Sequence, residues 1–312
     1  VSDLTELKSC LGWKHETFSR FIDCDRILVS TPHASPNVFF PRVNVGRYAD
    51  RLVSQDLEIF HLRVVLTHNN LSDLGWKPYG WWRIGSDGSL QESRLFSRNK
   101  RNKHKIIYSL STPQVTIDNI TEFDESCWKN ANRFNNYAYS CISILSETET
   151  KCGLNSHGRT LYVPLDAIVD FFKKYAFPAD GSFVDSGLSS LFGKASIMRK
   201  INSNGELENT TNISNAFVLE NAANILLSTL FGKSIVLGGK KMENYFSSIT
   251  NLRKDVNLDN KFGMEFPAFQ RVPTYALDFS MHSSNRITKD ELDKRGIPYS
   301  LSMVASEYGR FN

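Results

Sequence analysis

The residues best suited to chemistry with an anionic polymer lie in one segment, WKPYGWWRIGSDGSLQESRLFSRNKRNKHKIIY, which runs from Trp76 to Tyr108. Its first half carries three of the five tryptophans, and six cations follow within the twelve residues 94–105. The pair Asp87-Gly88 between the two halves readily adopts the positive φ angles of a tight hairpin turn. The pattern therefore predicts a β-ribbon with an aromatic arm and a cationic return arm.

A ribbon of this composition suits contact with nucleic acid, because aromatic rings stack on bases while neighbouring cations follow the phosphates. The alternative explanation is a solvated charged face beside tryptophans that belong to the core. A density of six cations in twelve residues exceeds what solubility requires, which favours the binding interpretation. The predicted nucleic-acid-binding residues are Trp81, Trp82, Arg83, Arg94, Arg98, Lys100, Arg101, Lys103 and Lys105.

A second group of residues could hold a metal ion. Metal-dependent nucleases of the restriction type place an acid, and then a Glu-x-Lys sequence, on neighbouring strands. The carboxylates bind a divalent ion there and the lysine orients water. Asp118 (or Asp124) followed by Glu149 and Lys151 fits that order, with a predicted strand leading into Glu149. The alternative hypothesis is thus a Mg²⁺-dependent phosphodiesterase that uses Asp118, Glu149 and Lys151.

No other metal or cofactor is predicted. His61 and His68 are seven residues apart in a predicted strand, which places them on opposite faces and too far apart to share an ion. Gly232-Lys233-Ser234 lacks the earlier glycine of a phosphate-binding loop. Gly238-Gly239-Lys240-Lys241 is a basic turn that could touch phosphate, although an ordinary solvated turn explains it as well.

Composition limits the class of protein. The chain has 312 residues, of which 41% are hydrophobic and 22% are charged, as expected of a globular protein. Its net charge of +4 is compatible with nucleic acid without requiring it. Five cysteines without C-x-x-C spacing indicate a reducing compartment. No apolar run approaches the ~20 residues of a membrane span, and no secretory signal is visible. We therefore expect an intracellular or cytoplasmic protein, or one within a particle.

Hydrophobic periodicity predicts an α+β fold with a largely antiparallel sheet. Region 1–163 is predicted to be mostly β with N-terminal helices, 164–255 to be a helical block, and 256–312 to return to the first region's sheet. The predicted helices include 14–24 and one starting at Pro164; the predicted strands are 56–67, 106–110, 137–145, 159–163 and 266–279.

These features lead to one main interpretation of function and two alternatives. The main one is a nucleic-acid-associated binding and assembly protein, such as a shell or nucleoprotein-type subunit of a virus or mobile element. Its partners would be nucleic acid and copies of itself or other assembly subunits, with no membrane, and its main role would be binding, with the question of catalysis left open. The alternatives are the metal-dependent nuclease described above and a protein-interaction module with an incidental basic loop.

Overall fold

The fold is built on a sheet of parallel strands. The computed structural model describes residues 15–35, 40–70, 80–84, 90–94, 103–113, 129, 131–151, 154–155, 157–175, 198–219, 234–239, 242–244, 246 and 268–273. The helices are α1 (His15–Ile22), α2 (Phe40–Gln55), α3 (Tyr137–Lys151) and α4 (Leu165–Tyr175). The strands are β1 (Arg26–Ser30), β2 (Ile59–Val65), β3 (Gly80–Ile84), β4 (Leu90–Arg94), β5 (Thr160–Pro164), β6 (Met198–Ile201), β7 (Leu207–Asn209), β8 (Val218–Leu219), β9 (Ser234–Gly238) and β10 (Ala268–Arg271).

The main sheet has the strand order β10-β9-β1-β2-β5, and every neighbouring pair in it is parallel. If only these five strands are counted in chain order (β1, β2, β5, β9, β10), their order across the sheet is 5-4-1-2-3. This is the order of a doubly wound α/β sheet, in which the direction of winding reverses between the first and fourth strands. Here the reversal lies between β1 and β9.

The prediction of a largely antiparallel sheet is therefore wrong. Polar residues alternate with apolar ones in β2, and such alternation normally marks a strand with one face in water. All seven residues of β2 are instead buried, including His61 and Arg63. The sheet is covered on both faces, as parallel sheets are, and the polar side chains that suggested an exposed face make hydrogen bonds inside the protein.

Two helices differ from the prediction. The segment from Tyr137 to Leu145, expected to be a strand, belongs to α3, and its residues are buried throughout. A helix without a solvated face shows no 3.6-residue polar period, so its aromatic and β-branched residues favoured a strand. Helix α2 was not predicted at all. The expected strand 106–110 is a short 3₁₀ turn at Ile107–Ser109.

Other predicted elements are present. Helix α1 lies within the predicted helix 14–24, β2 lies within the predicted strand 56–67, β5 overlaps the predicted strand 159–163, and α4 begins directly after Pro164. Strand β10 rejoins the main sheet as expected, although it pairs in parallel with β9. The segment 164–255 is not purely helical, because it contributes the antiparallel sheet β7-β6-β8 and strand β9 of the main sheet. The division into three regions stays a prediction.

Helix α2 covers one face of the main sheet. The buried cluster there consists of Leu28, Ala49, Val53, Ile59, Leu237 and Val272. On the other face, the rings of Phe21 and Phe60 pack edge to face with centroids 5.7 Å apart. None of the helices that the structure describes is long and apolar enough to cross a membrane.

Candidate functional site

The predicted ribbon forms a hairpin. Strands β3 and β4 pair antiparallel, with Gly80 opposite Arg94, Trp82 opposite Glu92 and Ile84 opposite Leu90. The backbone register sets the arm that carries Trp81 and Trp82 alongside the arm that ends at Arg94. The hairpin thus brings the aromatic sequence and the start of the cation run together.

The end of the cation run is anchored to the small antiparallel sheet. Lys103 is exposed and Lys105 is partly buried; Arg98, Lys100 and Arg101 lie outside the described residues. Directly after Lys105, the backbone N–H of Ile106 donates to the carbonyl of Gly205 at 2.9 Å, in the turn between β6 and β7. This contact fixes the position at which the basic segment leaves the folded body.

Gly205 is required at this anchor. Its φ is +80°, a conformation that disfavours a side chain, and a Cβ there would lie 2.5 Å from the Oγ of Ser109. That hydroxyl itself donates to the Gly205 carbonyl at 2.9 Å. The close approach of the two segments therefore depends on glycine.

The most polar part of the interior is a cluster in the main sheet, which we call the core polar cluster. It comprises Ser30, His61, Arg63, Glu149 and Tyr162, each 3% exposed or less. The strand register aligns Ser30 with Arg63 and Arg63 with Tyr162 on neighbouring strands. Helix α3 brings Glu149 to the same place.

Arg63 and Glu149 form a buried ion pair. The Arg63 Nη2 lies 2.5 Å from the Glu149 Oε1, and both side chains are 1% exposed. The Tyr162 hydroxyl donates to the other carboxylate oxygen, Oε2. Burial, and then the Glu149 charge, raise the pKa of Tyr162 well above its usual value, so it remains a neutral donor.

The hydrogen bonds assign a protonation state to His61. The His61 Nε2 lies 2.8 Å from the Ser30 Oγ, and the Arg63 Nη1 lies 3.5 Å from the same oxygen. Because arginine can only donate, Ser30 accepts from Arg63, and among the described contacts the His61 Nε2 is the acceptor in reach of the Ser30 hydrogen. His61 is then a neutral acceptor at Nε2. Burial, and then the Arg63 charge, lower its pKa well below 6.5.

A serine and a histidine at 2.8 Å are in the geometry of a nucleophile and its general base. In this protein Ser30 is 3% and His61 1% exposed, so a substrate has no access to either atom. The arrangement as it stands supports the sheet rather than a reaction.

A second buried network lies at the carboxyl ends of β2 and β5. Asp166, in the first turn of α4, accepts from the Thr67 hydroxyl at 2.7 Å and from the Tyr139 hydroxyl at 2.6 Å. Burial raises the pKa of Asp166 above its usual value, while these two hydrogen bonds act in the opposite direction. The network ties α3 and α4 to the end of the sheet.

The carboxyl edge of the sheet includes the point where the winding direction reverses. After β1, the chain continues beside β2, with His33 bridged to Leu66 and the Ala34 N–H donating to the Leu66 carbonyl at 3.0 Å. Strand β9 ends at Gly238, and Gly239 follows it. A Cβ on Gly238 would lie 2.5 Å from that of Met242, whereas one on Gly239 would meet nothing within 4 Å. Gly238 and Gly239 thus lie at the winding reversal, directly before Lys240 and Lys241 in the sequence.

The proposed nuclease residues are not seen together. Glu149 lies in α3 rather than in a turn after a strand, and both of its oxygens are engaged inside the protein. Lys151 is the last residue of α3, and Asp118 lies outside the described residues. Within the part of the chain that the structure describes, no group of three or more potential ligands is placed to hold a metal ion.

The core polar cluster was missed by the sequence interpretation, although a signal for it exists. His61 and Arg63 interrupt the otherwise apolar strand IFHLRVV at positions two apart, which places them on the same face. Two polar residues on one face of a long apolar strand indicate either a solvated face or a buried network. Deciding between these requires the partners on β1, β5 and α3.

Comparisons with known proteins assign no family. No protein-family model matches the chain, and no curated protein matches it. Among solved structures, the chain is similar to one assigned as an arginyl tRNA synthetase from Campylobacter jejuni, at 11% sequence identity. That match covers 95% of this chain and 67% of the other, with a TM-score of 0.31. A TM-score this low supports no argument about fold or function.

Proposed function

We propose that this chain is a nucleic-acid-associated binding protein whose binding surface is the β3–β4 hairpin together with the basic segment that follows it. The observation that carries the proposal is the register of the hairpin. It sets Trp81 and Trp82 beside the arm that ends at Arg94, where the cation run begins. Bases can stack on the aromatic arm while phosphates follow the cations.

The anchoring of the basic segment supports the proposal. The exposed Lys103 lies three residues before Ile106, which is hydrogen-bonded to the β6–β7 turn. A segment held at one end loses less conformational entropy on binding than a free one, so its cations contribute more to affinity. The parallel sheet then acts as the scaffold for this surface.

The test is a salt titration of binding to a labelled single strand and a labelled duplex. Replacing Arg98, Lys100, Arg101 and Lys103 by Ala should weaken binding to any sequence. The slope of log affinity against log salt should flatten by about 0.7 to 0.9 per lost phosphate contact. Replacing Trp81 and Trp82 by Ala should cost about 1–3 kcal/mol per stacked base, with the slope unchanged.

A matched control separates the local surface from overall charge. In the control, alanine replaces four exposed arginines elsewhere, which lowers the net charge by the same four units. These are Arg20, Arg26, Arg51 and Arg271. The slope of log affinity against log salt should stay unchanged in this variant. Equal losses of affinity in both quadruple variants would refute the hairpin and basic segment as the binding surface.

Assembly with copies of itself, as in a shell or nucleoprotein, is a further part of this proposal. It predicts that the oligomeric state measured by light scattering increases when polynucleotide is added. A constant monomer at all ratios of nucleic acid to protein would restrict the function to binding.

The strand order favours a second candidate function, the binding of a small phosphate-bearing ligand such as a nucleotide. Ligands of doubly wound sheets bind at the carboxyl ends of the strands where the winding reverses, here the ends of β1 and β9. This support is an analogy of fold. The sequence adds Lys240 and Lys241 directly after Gly239, at which a side chain would meet nothing within 4 Å.

The second candidate is tested by calorimetric titration with ATP, GTP and pyrophosphate, each added separately. Alanine substitution of Lys240 and Lys241 should weaken binding at least tenfold. The adjacent pair Lys173-Lys174 in α4 provides the matched control. No heat of binding with any of the three probes would exclude this candidate without affecting the first.

The metal-dependent nuclease is less well supported than either candidate. Its chemistry needs Glu149 open to water and Mg²⁺, whereas Glu149 is 1% exposed and paired with Arg63. Magnesium-dependent cleavage of plasmid by the unmodified protein, abolished in a Glu149→Gln variant that remains folded, would restore that hypothesis.

A further inference from the structure

The core polar cluster contains one group that can change charge near neutral pH, and its hydrogen bonds favour the neutral one of its two charge states. His61 lies in the internal strand β2, with β1 on one side and the edge strand β5 on the other. Its Nε2 accepts the only hydrogen of the Ser30 hydroxyl, and Ser30 in turn accepts from Arg63. The direction of donation therefore runs from Arg63 through Ser30 to His61.

Protonation of His61 would reverse the last step of this chain. The Nε2 would become a donor, so the Ser30 oxygen would face two donors and its own hydrogen would lose its acceptor. A buried polar group without a partner destabilises the folded state. The cluster as it stands accommodates the neutral ring and opposes the imidazolium.

The charges around His61 oppose the imidazolium as well. On its own strand, the neighbouring cation is Arg63, whose charge is already matched by Glu149 on α3. On β5, Thr160 lies opposite His61 in the register and Tyr162 donates to Glu149. Among the described residues, two further charged groups lie on the elements packed here: Asp50 on α2 and Arg159, just before β5. The charge of Asp50 acts on Tyr162, and Arg159 donates to the backbone carbonyl of Val53 on α2.

We propose that His61 is an acid-sensitive switch, whose protonation opens the sheet at β1–β2–β5 and releases the helices α2 and α3 that cover it. Protonation adds an unmatched cation to a cluster in which Arg63 and Glu149 already neutralise one another. A buried unmatched charge is tolerated only when water reaches it, so the protonated state favours the opened protein. The fold then loosens below about pH 6.5, where a free histidine becomes charged.

The direction of the pH dependence follows from the number of protons that the opened and closed states bind. The opened state binds a proton at His61 from about pH 6.5 downward, and the closed state does not. Stability therefore falls as pH falls through this window. The equilibrium constant for opening rises by up to about tenfold for each pH unit. Above pH 7 both states carry a neutral ring and the effect disappears.

The experiment is urea unfolding between pH 5.0 and 7.5 of the unmodified protein, His61→Gln and His104→Gln. Glutamine keeps an acceptor for Ser30 but cannot become charged. We expect His61→Gln to lose much of the destabilisation below pH 6.5. The control at the exposed His104 should keep the pH dependence of the unmodified protein. The same pH dependence in His61→Gln and in the unmodified protein would overturn the proposal.

Hydrogen exchange tests the proposal on the unmodified protein. This test therefore remains available if the His61 variant fails to fold. After correction for intrinsic rates, the amides of Arg26–Ser30 and Ile59–Val65 should exchange faster at pH 5.0 than at pH 7.5. The amides of β6 and β7 should change less. Equal protection of β1 and β2 at the two pH values would refute the switch.

Discussion

Removing the Glu149 side chain should strongly destabilise the protein, because it leaves two buried groups without their partner. In Glu149→Ala, the Arg63 guanidinium stays buried and keeps its contact with the Ser30 Oγ at 3.5 Å and its position 5.8 Å from the centroid of the Tyr162 ring. The Tyr162 hydroxyl loses the acceptor to which it donates. Both groups must then be solvated by rearrangement or remain unsatisfied.

The magnitude follows from these two losses. Breaking a buried ion pair by removing one partner costs about 3–5 kcal/mol. An unsatisfied buried hydroxyl alone costs about 1–3 kcal/mol, and since the two losses share a site they are not additive. We therefore expect the upper part of the first range, about 4–5 kcal/mol. This is a large share of the 5–15 kcal/mol typical of a folded domain.

The assay is urea denaturation followed by circular dichroism and tryptophan fluorescence. The double variant Arg63→Met/Glu149→Leu should be less destabilised than Glu149→Ala, because no buried charge remains unmatched. An exposed pair provides the matched control: Glu208, 2.9 Å from Lys200, is 44% exposed. Glu208→Ala should cost at most about 1 kcal/mol.

One result would refute this reasoning. A Glu149→Ala variant within about 1 kcal/mol of the unmodified protein would mean that Glu149 is not buried against Arg63 in solution. A solvent-exposed metal site at Glu149 requires this small change in stability. It also requires that the variant loses a magnesium-dependent cleavage that the unmodified protein shows. The stability of this one variant thus distinguishes a structural role from the nuclease hypothesis.

Two further predictions concern the second network and the anchor of the basic segment. Tyr139→Phe removes one of the two hydroxyls that donate to Asp166. It should cost about 1–3 kcal/mol and raise the pKa of Asp166 further, as measured by urea unfolding and carboxyl NMR titration; an unchanged pKa would contradict the hydrogen bond. Gly205→Ala should destabilise by more than about 1 kcal/mol, because φ is +80° and the new Cβ meets Ser109. Unaltered stability of Gly205→Ala would show that the turn has another conformation.

Some parts of the fold follow from local sequence. Strands β3 and β4 form on either side of the predicted Asp87-Gly88 turn, which lies outside the described residues, and their register, with Ile84 opposite Leu90, leaves five residues between the paired segments. Helix α4 follows from apolar residues at helical spacing after Pro164, which is tolerated at a helix start. In these elements, one face is polar or the turn residues are specific, so the sequence carries a periodic or chemical signal.

The direction of the main sheet could not be obtained in this way. An antiparallel strand with one wet face and a parallel strand with polar residues inside show the same alternation. His61 and Arg63 produced that alternation in β2 while being 1% exposed. Whether His61 and Arg63 face water or partners depends on Ser30, Glu149 and Tyr162. Ser30 is 31 residues from His61, and Glu149 and Tyr162 are 86 and 99 residues from Arg63.

Sequence alone therefore determined the hairpin, the position of the basic segment and the apolar strands and helix that build the core. It also provided the residue types for a buried ion pair without indicating that they meet. Only the tertiary structure decided that the sheet is parallel, that Glu149 is paired with Arg63 inside the protein, and that β9 ends at Gly238 where the sheet reverses its winding. The physical reason is that local sequence sets conformation through steric and capping preferences, whereas burial and charge pairing are set by distant residues that folding brings together.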